Sequence, residues 1–144
     1  MILFWGAESE PYGFMSNFYP SPFEAEGLVW PTVEHYFQAM KTLDKAQWPV
    51  FAALDNPAKT KYRGRMVELR PDWDTVKVEV MNTALRCKFK QNPELAKLLA
   101  ATGDEVIHEN SPYDYIWGYQ NNGLDLLGKC LMKVREELKV ADVV

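Results

Sequence analysis

Twice in this chain an asparagine stands directly before a proline, at Asn56-Pro57 and at Asn92-Pro93. Proline at the first helical position loses no hydrogen bond, because that amide has no partner there anyway, and its fixed φ already suits a helix. The asparagine in front supplies a side-chain oxygen for the next free amides. Each pair therefore marks a helix start, and the rest of the pattern is read outward from them. The second helix runs to about Thr102, with Gly103 as its stop. Between the two starts, residues 74–91 read as a longer amphipathic helix carrying Val76, Val80, Ala84, Cys87 and Phe89. Upstream, Thr32 is a candidate N-cap for a helix over 33–45. Near the end, Leu124, Leu127, Leu131, Val134 and Leu138 recur at spacings of three and four, a stripe expected to face the core.

Strand signals are few. Residues 2–5 are β-prone, residues 23–29 suit a small hairpin around Glu26-Gly27, and residues 106–108 suit one short strand. Two loops are rich in turn formers and aromatics, one from Pro11 to Pro22 and one over 110–123. No repeat or linker interrupts the 144 residues, so one domain over 1–144 is expected. With 47% apolar and 25% charged residues the chain has the balance of a globular protein and enough length to bury a core without metal or disulfide.

The net charge of -4 argues against non-specific binding to duplex nucleic acid, which needs a broad basic surface. No apolar run approaches the ~18–20 residues of a membrane span. The residues Met1 to Trp5 are too short and uncharged for a signal peptide, so the cytoplasm is the expected compartment and no membrane partner is expected. Cys87 and Cys130 form no C-x-x-C and have no histidine nearby in sequence, which suits two reduced, mostly buried thiols.

Phosphate-cradling glycine motifs, nucleophile elbows and zinc-binding H-E-x-x-H are all missing. The two histidines, His35 and His108, have no partner at metal-ligand spacing, and neither a metal nor an organic cofactor is expected. What remains is a chemistry of carboxylates, lysine, arginine and aromatics. Glu34, Gln38 and Lys41 share one helical face at ~100° per residue, opposite Val33, Tyr36, Phe37, Met40 and Leu43. That face is either a solvated stripe or the wall of a pocket roofed by the aromatic loops. The second loop holds Glu109, Asn110, Tyr113, Asp114, Tyr115, Trp117 and Gly118, which suits a site that stacks a ring and polarises a bond beside it, or else a surface loop anchored by Trp117. Lys59, Lys61, Arg63 and Arg65 are a local basic run, fit for a phosphate or for a solvated helix face.

The segment Ser16-Asn17-Phe18-Tyr19-Pro20-Ser21-Pro22-Phe23, then Gly27, then Trp30-Pro31-Thr32-Val33-Glu34-His35-Tyr36-Phe37-Gln38-Ala39-Met40-Lys41, resembles the NADAR superfamily, also called YbiA-like. The likeness continues through Arg65, Trp73, Val80-Met81, Ala84-Leu85-Arg86-Cys87-Lys88-Phe89 and Asp114-Tyr115-Ile116-Trp117-Gly118. It ends with Gly123, Leu127-Gly128, Leu131-Met132 and Arg135-Glu136, so nearly the whole chain is covered. The resemblance implies an α+β fold, a helix-rich single domain with a small β-sheet. It also implies a hydrolase of N-glycosidic bonds. Family members cleave phosphoribosylamino-pyrimidine intermediates of riboflavin biosynthesis, releasing ribose 5-phosphate, or remove ADP-ribose from guanine.

Position by position, the resemblance implies Glu34, Lys41 and Asp114 as catalytic residues. Trp30, Gln38, Trp117 and Gly118 match pocket positions, Ser16, Asn17 and Phe18 match a loop that meets ribose or phosphate, and Arg65 is a phosphate anchor. Asp125 stands where relatives commonly carry Asn, after a short loop, a departure that bears on substrate identity more than on reaction type. N-glycoside cleavage builds positive charge at C1′, so a carboxylate and an acid are the groups it needs. Glu34 is expected as proton shuttle, with Lys41 as Schiff-base nucleophile or as anion anchor. A nucleophilic lysine must have a depressed pKa, which burial or a nearby cation supplies and an ionised Glu34 opposes.

Three functions are consistent with these residues. The first is a small-molecule N-glycosidase, favoured by the acidic charge balance. The second is an ADP-ribosyl-guanine hydrolase, with nucleic acid a partner only as an ADP-ribosylated substrate, which a basic rim would favour. The third is a non-enzymatic nucleotide-binding module, which would need neither Glu34 nor Lys41.

Overall fold

The computed structural model describes the backbone of residues 1–143 and the side chains of residues 1–140. The strand content divides into two separate two-stranded ladders rather than one small sheet. β1 (Ile2–Phe4) runs parallel to β4 (Ile107–Glu109), with Phe4 opposite Glu109. β2 (Phe23–Ala25) and β3 (Leu28–Trp30) form the expected hairpin. Its turn residues Glu26 and Gly27 both have positive φ, 54° and 75°, the geometry that a two-residue turn needs to match the twist of its strands.

Among the described residues six α-helices lie around these ladders. They are α1 (Val33–Ala39), α2 (Trp48–Ala52), α3 (Pro57–Gly64), α4 (Trp73–Gln91), α5 (Pro93–Ala101) and α6 (Leu126–Val143). One core gathers Trp30, Phe51, Leu85, Phe89, Ile107 and Leu131, each almost fully buried. No described helix is long and apolar enough to cross a membrane. Cys87 is partly exposed, Cys130 is buried, and both are free thiols.

Capping follows the sequence at two helix starts and one stop, and departs from it at a third start. Thr32 accepts from the His35 amide, and Asn56 from the Lys59 amide. Gly103, at φ 63°, stops the chain after α5. Asn92, expected as an N-cap, instead donates from Nδ2 to the carbonyls of Lys88 (2.8 Å) and Pro22 (3.1 Å). Its amide group closes the end of α4 and fastens the hairpin segment.

Two helix boundaries differ from expectation. α1 ends at Ala39 rather than at residue 45. The carbonyls a longer helix would use are taken by other groups: Lys41 O by the Arg70 amide (2.8 Å), and Thr42 O by the Trp48 indole (3.1 Å). Asp44 then caps a separate short turn over Lys45–Gln47 through the Ala46 amide. α6 starts at Leu126, so Leu124 lies outside it and is exposed, whereas Leu127, Leu131 and Val134 carry the core stripe.

Candidate active site

α1 is buried along its whole length. One side packs into the core and the other closes a cavity of about 1380 Å³ whose wall includes Glu34, Gln38 and Lys41. The solvated-stripe alternative therefore fails: Glu34 is 7% exposed and Gln38 is 4% exposed. Glu34 takes a hydrogen bond from Gln38 Nε2 at 2.7 Å. Gln38 has its place because α3 carries Gly64 opposite it, where a Cβ would stand 2.0 Å from the Gln38 amide oxygen. A side chain at position 64 would displace the Gln38 amide from this place.

Burial raises the Glu34 carboxyl above its ordinary range; the Gln38 bond and then the charges of Lys61 and Lys41 pull back, and Asp114 adds to the rise. Lys41 lies in the turn after α1 rather than on the helix. Burial lowers its ammonium pKa, with Arg65 and Lys61 helping and Glu34 opposing. Its Nζ sits 5.8 Å from the Phe37 ring centre and 6.0 Å from that of Trp73, positions that favour a cation by ring electrostatics. Geometry thus supplies the half-desolvated lysine that a nucleophilic role requires.

The first aromatic loop is tied to α1 through the backbone, as Glu34 N donates to Asn17 O at 3.1 Å. Ser16 Oγ accepts from the Phe18 amide, and Asn17 directs its amide nitrogen to Met81 Sδ. Asn17 Oδ1 has no partner. Beneath the loop is Lys88, fully buried, whose Nζ donates to Phe14 O (2.6 Å) and Ser16 O (3.2 Å). Burial lowers Lys88 to about 7. Ser16, Asn17 and Phe18 all line the cavity.

The second loop supplies the opposite wall. Asp114 Oδ1 accepts from the amides of Ile116 (3.0 Å) and Trp117 (2.9 Å), a turn that fixes both the carboxylate and the indole. Trp117 meets Phe37 edge to face at 5.3 Å, and both rings line the cavity. The basic run splits. Lys61 and Arg65 reach the cavity, Lys59 pairs with Asp55, and Arg63 lies over the Phe51 ring.

Two expected pocket residues lie elsewhere. Trp30 is fully buried in the hairpin, with Nε1 donating to Ala25 O at 2.8 Å and its ring against Tyr36 at 5.4 Å. A tryptophan next to the motif helix serves the core here because β3 turns it inward. Gly118 sits behind the wall rather than in it. A Cβ there would stand 2.6 Å from both Glu109 Oε2 and Asp114 O.

Glu109 is the residue that motif reasoning left out of the site. It lines the cavity while being 8% exposed. The signal was present in strand alternation, since Ile107 and Glu109 share the inward face of β4. Asp125, the departure noted above, does not face the cavity. It adopts φ 54°, accepts from Glu109 N (3.1 Å) and is 2.7 Å from His108 Nδ1. Among the described residues no group of three His, Cys, Asp or Glu side chains is arranged to hold a metal.

A buried carboxyl, a half-desolvated lysine, an aromatic wall and a cationic edge meet on one cavity, groups whose chemistry suits breaking a polarised bond beside a planar ring. The NADAR domain model matches residues 3–139, and this chain belongs to that family. It is 40% identical to "N-glycosidase Npun_R5314" of Nostoc punctiforme over 96% of this chain and 94% of that protein. It is 39% identical to "N-glycosidase YbiA" of Escherichia coli over 96% of this chain and 89% of the relative. The NMR structure of the E. coli protein YbiA superposes with a TM-score of 0.89 at 38% identity, covering 99% of this chain and 86% of that one. A third relative, "Riboflavin biosynthesis protein VVA0006" of Vibrio vulnificus, is 41% identical over 90% of this chain but only 36% of its own length.

Proposed function

We propose that this N-glycosidase of the YbiA type hydrolyses the C1′–N bond of a phosphoribosylamino-pyrimidine of riboflavin biosynthesis and releases ribose 5-phosphate. The observation that carries this reading is the convergence of Glu34 and Lys41 on one cavity wall, each desolvated, with Lys61 and Arg65 at the cavity's cationic edge. The names of the relatives support the same bond and the same pathway.

In this scheme Arg65 and Lys61 take the 5-phosphate, a dianion suited to paired cations. Phe18 and Trp117 flank the ring of the base. As the C1′–N bond stretches, positive charge grows at C1′, and the carboxylates Glu34 and Asp114 oppose it from fixed positions. Glu34, held in orientation by Gln38, moves the proton. Lys41 acts as amine nucleophile at C1′ or as a charge beside the phosphate, and its lowered pKa supports the former.

ADP-ribosyl-guanine hydrolysis is the alternative, favoured by cavity size. About 1380 Å³ exceeds the roughly 300–1,000 Å³ of ordinary small-ligand pockets. Tyr113 and Tyr115, exposed on its wall, offer rings for a second planar group. Incubation with a phosphoribosylamino-pyrimidine and, separately, with ADP-ribosylated guanosine distinguishes the two. Mass spectrometry should show ribose 5-phosphate and free base from the first. Turnover of the second alone would overturn the proposal.

A further inference from the structure

Two carboxyls on one cavity suit acid and base chemistry best when their surroundings push them toward different protonation states. Burial raises both Glu34 and Glu109, and the difference between them lies in the groups around each. Around Glu34 the nearest opposing charges are cations, Lys61 and Lys41, and one oxygen receives the Gln38 amide. Around Glu109 the charged neighbours are chiefly acids. Asp114 comes from the same loop and Asp125 from the turn before α6; against them stand a backbone hydrogen bond from Ser111 and the charge of Lys61 on α3. Glu8, Arg65 and Lys41 complete the charged lining of the cavity, and His108 faces Asp125 from the far side of β4.

The packing of Glu109 is more selective still. Its Oε2 is buried with no hydrogen-bond partner and lies where a Cβ at position 118 would come within 2.6 Å of it, so only glycine leaves it room. An oxygen with neither solvent nor donor is costly as an anion and cheap as part of a neutral acid. The backbone of Glu109 is fixed at both ends, with N to Asp125 Oδ1 at 3.1 Å and O from Tyr119 N at 2.9 Å. The Ser111 backbone amide meets the carboxyl, and the residue stands on the cavity wall.

We propose that Glu109 is the carboxylic acid that protonates the leaving nitrogen, a role separate from that of Glu34 and resting on the glycosidase function above. As the C1′–N bond breaks, its electron pair stays on nitrogen, which takes the Glu109 proton. C1′ takes a water oxygen, directly or when water hydrolyses a Lys41 adduct, and the water's proton passes to Glu34. Solvent then returns a proton to Glu109 and removes one from Glu34, so the net reaction is addition of one water across the C1′–N bond. Burial, opposed by the Ser111 backbone hydrogen bond and Lys61 and helped by Asp114 and Asp125, places Glu109 at about 7, so an enzyme relying on it loses rate as pH rises through that value.

Glu109→Gln tests this with two substrates. One is the phosphoribosylamino-pyrimidine, whose nitrogen needs a proton to leave. The other is 4-nitrophenyl ribofuranoside 5-phosphate, whose leaving group departs as an anion. Wild-type kcat/KM on the first should fall above neutral pH. The variant should lose about a hundredfold in kcat on that substrate, show no alkaline limb, and stay within a few-fold of wild type on the nitrophenyl compound. Because Lys88 titrates in the same range, a limb that persists in Glu109→Gln would assign it to Lys88 and overturn the proposal. Equal loss on both substrates would also overturn it, in favour of a positioning role. A wild-type protein that cleaves neither glycoside overturns the function and this assignment together.

Discussion

Replacing Lys88 with methionine should destabilise the protein more at pH 9 than at pH 7. Lys88 has no opposite charge beside it; its ammonium is held by two carbonyls, Phe14 O and Ser16 O, in a fully buried place. Its folded value of about 7 lies below the ordinary 10.5 of a free lysine. Between those values the unfolded chain binds more protons than the folded one, so this group's contribution to stability rises with pH at up to ~1.4 kcal/mol per unit. Because Lys88 is only half protonated near pH 7, the gain from pH 7 to pH 9 is about 2 kcal/mol. Methionine keeps the size and removes the titration. It also takes the Lys88 donor from Phe14 O at either pH, at roughly 1–3 kcal/mol, while Ser16 O keeps the Tyr19 amide at 3.1 Å. Urea unfolding followed by tryptophan fluorescence at the two pH values measures the penalty directly. Subtraction against wild type removes contributions from Glu109 and the cysteines. A penalty that is equal at both pH values, or smaller at pH 9, would show that the fold does not hold Lys88 as a desolvated amine.

Further outcomes follow from the site. Borohydride added during turnover should trap a sugar on Lys41 if its amine is the nucleophile; no adduct together with an active Lys41→Arg would make it an anion anchor, since guanidinium stays protonated. Gly118→Ala should lower both melting temperature and kcat, because a Cβ 2.6 Å from Glu109 Oε2 displaces that carboxyl, and overpacking of this kind costs about 1–3 kcal/mol. Wild-type behaviour of that variant would mean the Glu109 wall yields freely. Chelation should leave the rate unchanged; loss restored by one divalent ion would contradict the metal-free scheme.

Much of this architecture was legible because it depends on local rules. Thr32, Asn56-Pro57 and Gly103 act through neighbouring amides or φ alone, and each does in the fold what its residue type dictates. The misses share another cause. The Arg70 amide and the Trp48 indole end α1 early from positions far along the chain, and Asn92 turns back to Lys88 and Pro22 for the same kind of reason. In the site, Glu34 and Lys41 carried a motif signal. Trp30 carried the same signal and went to the core, because a motif records proximity in sequence and not the direction β3 gives a side chain. Glu109 was obscured by its place in a polar, aromatic loop. Only its register on β4, two residues from buried Ile107, turns it inward.

The central claim is that the buried α1 carboxyl performs bond cleavage rather than packing. Glu34→Gln preserves size and can still meet Gln38, so the fold should keep its melting temperature. On the phosphoribosylamino-pyrimidine, kcat should fall by about two powers of ten or more, read as released ribose 5-phosphate by mass spectrometry. A Glu34→Gln protein that releases ribose 5-phosphate at near wild-type rate would contradict the account.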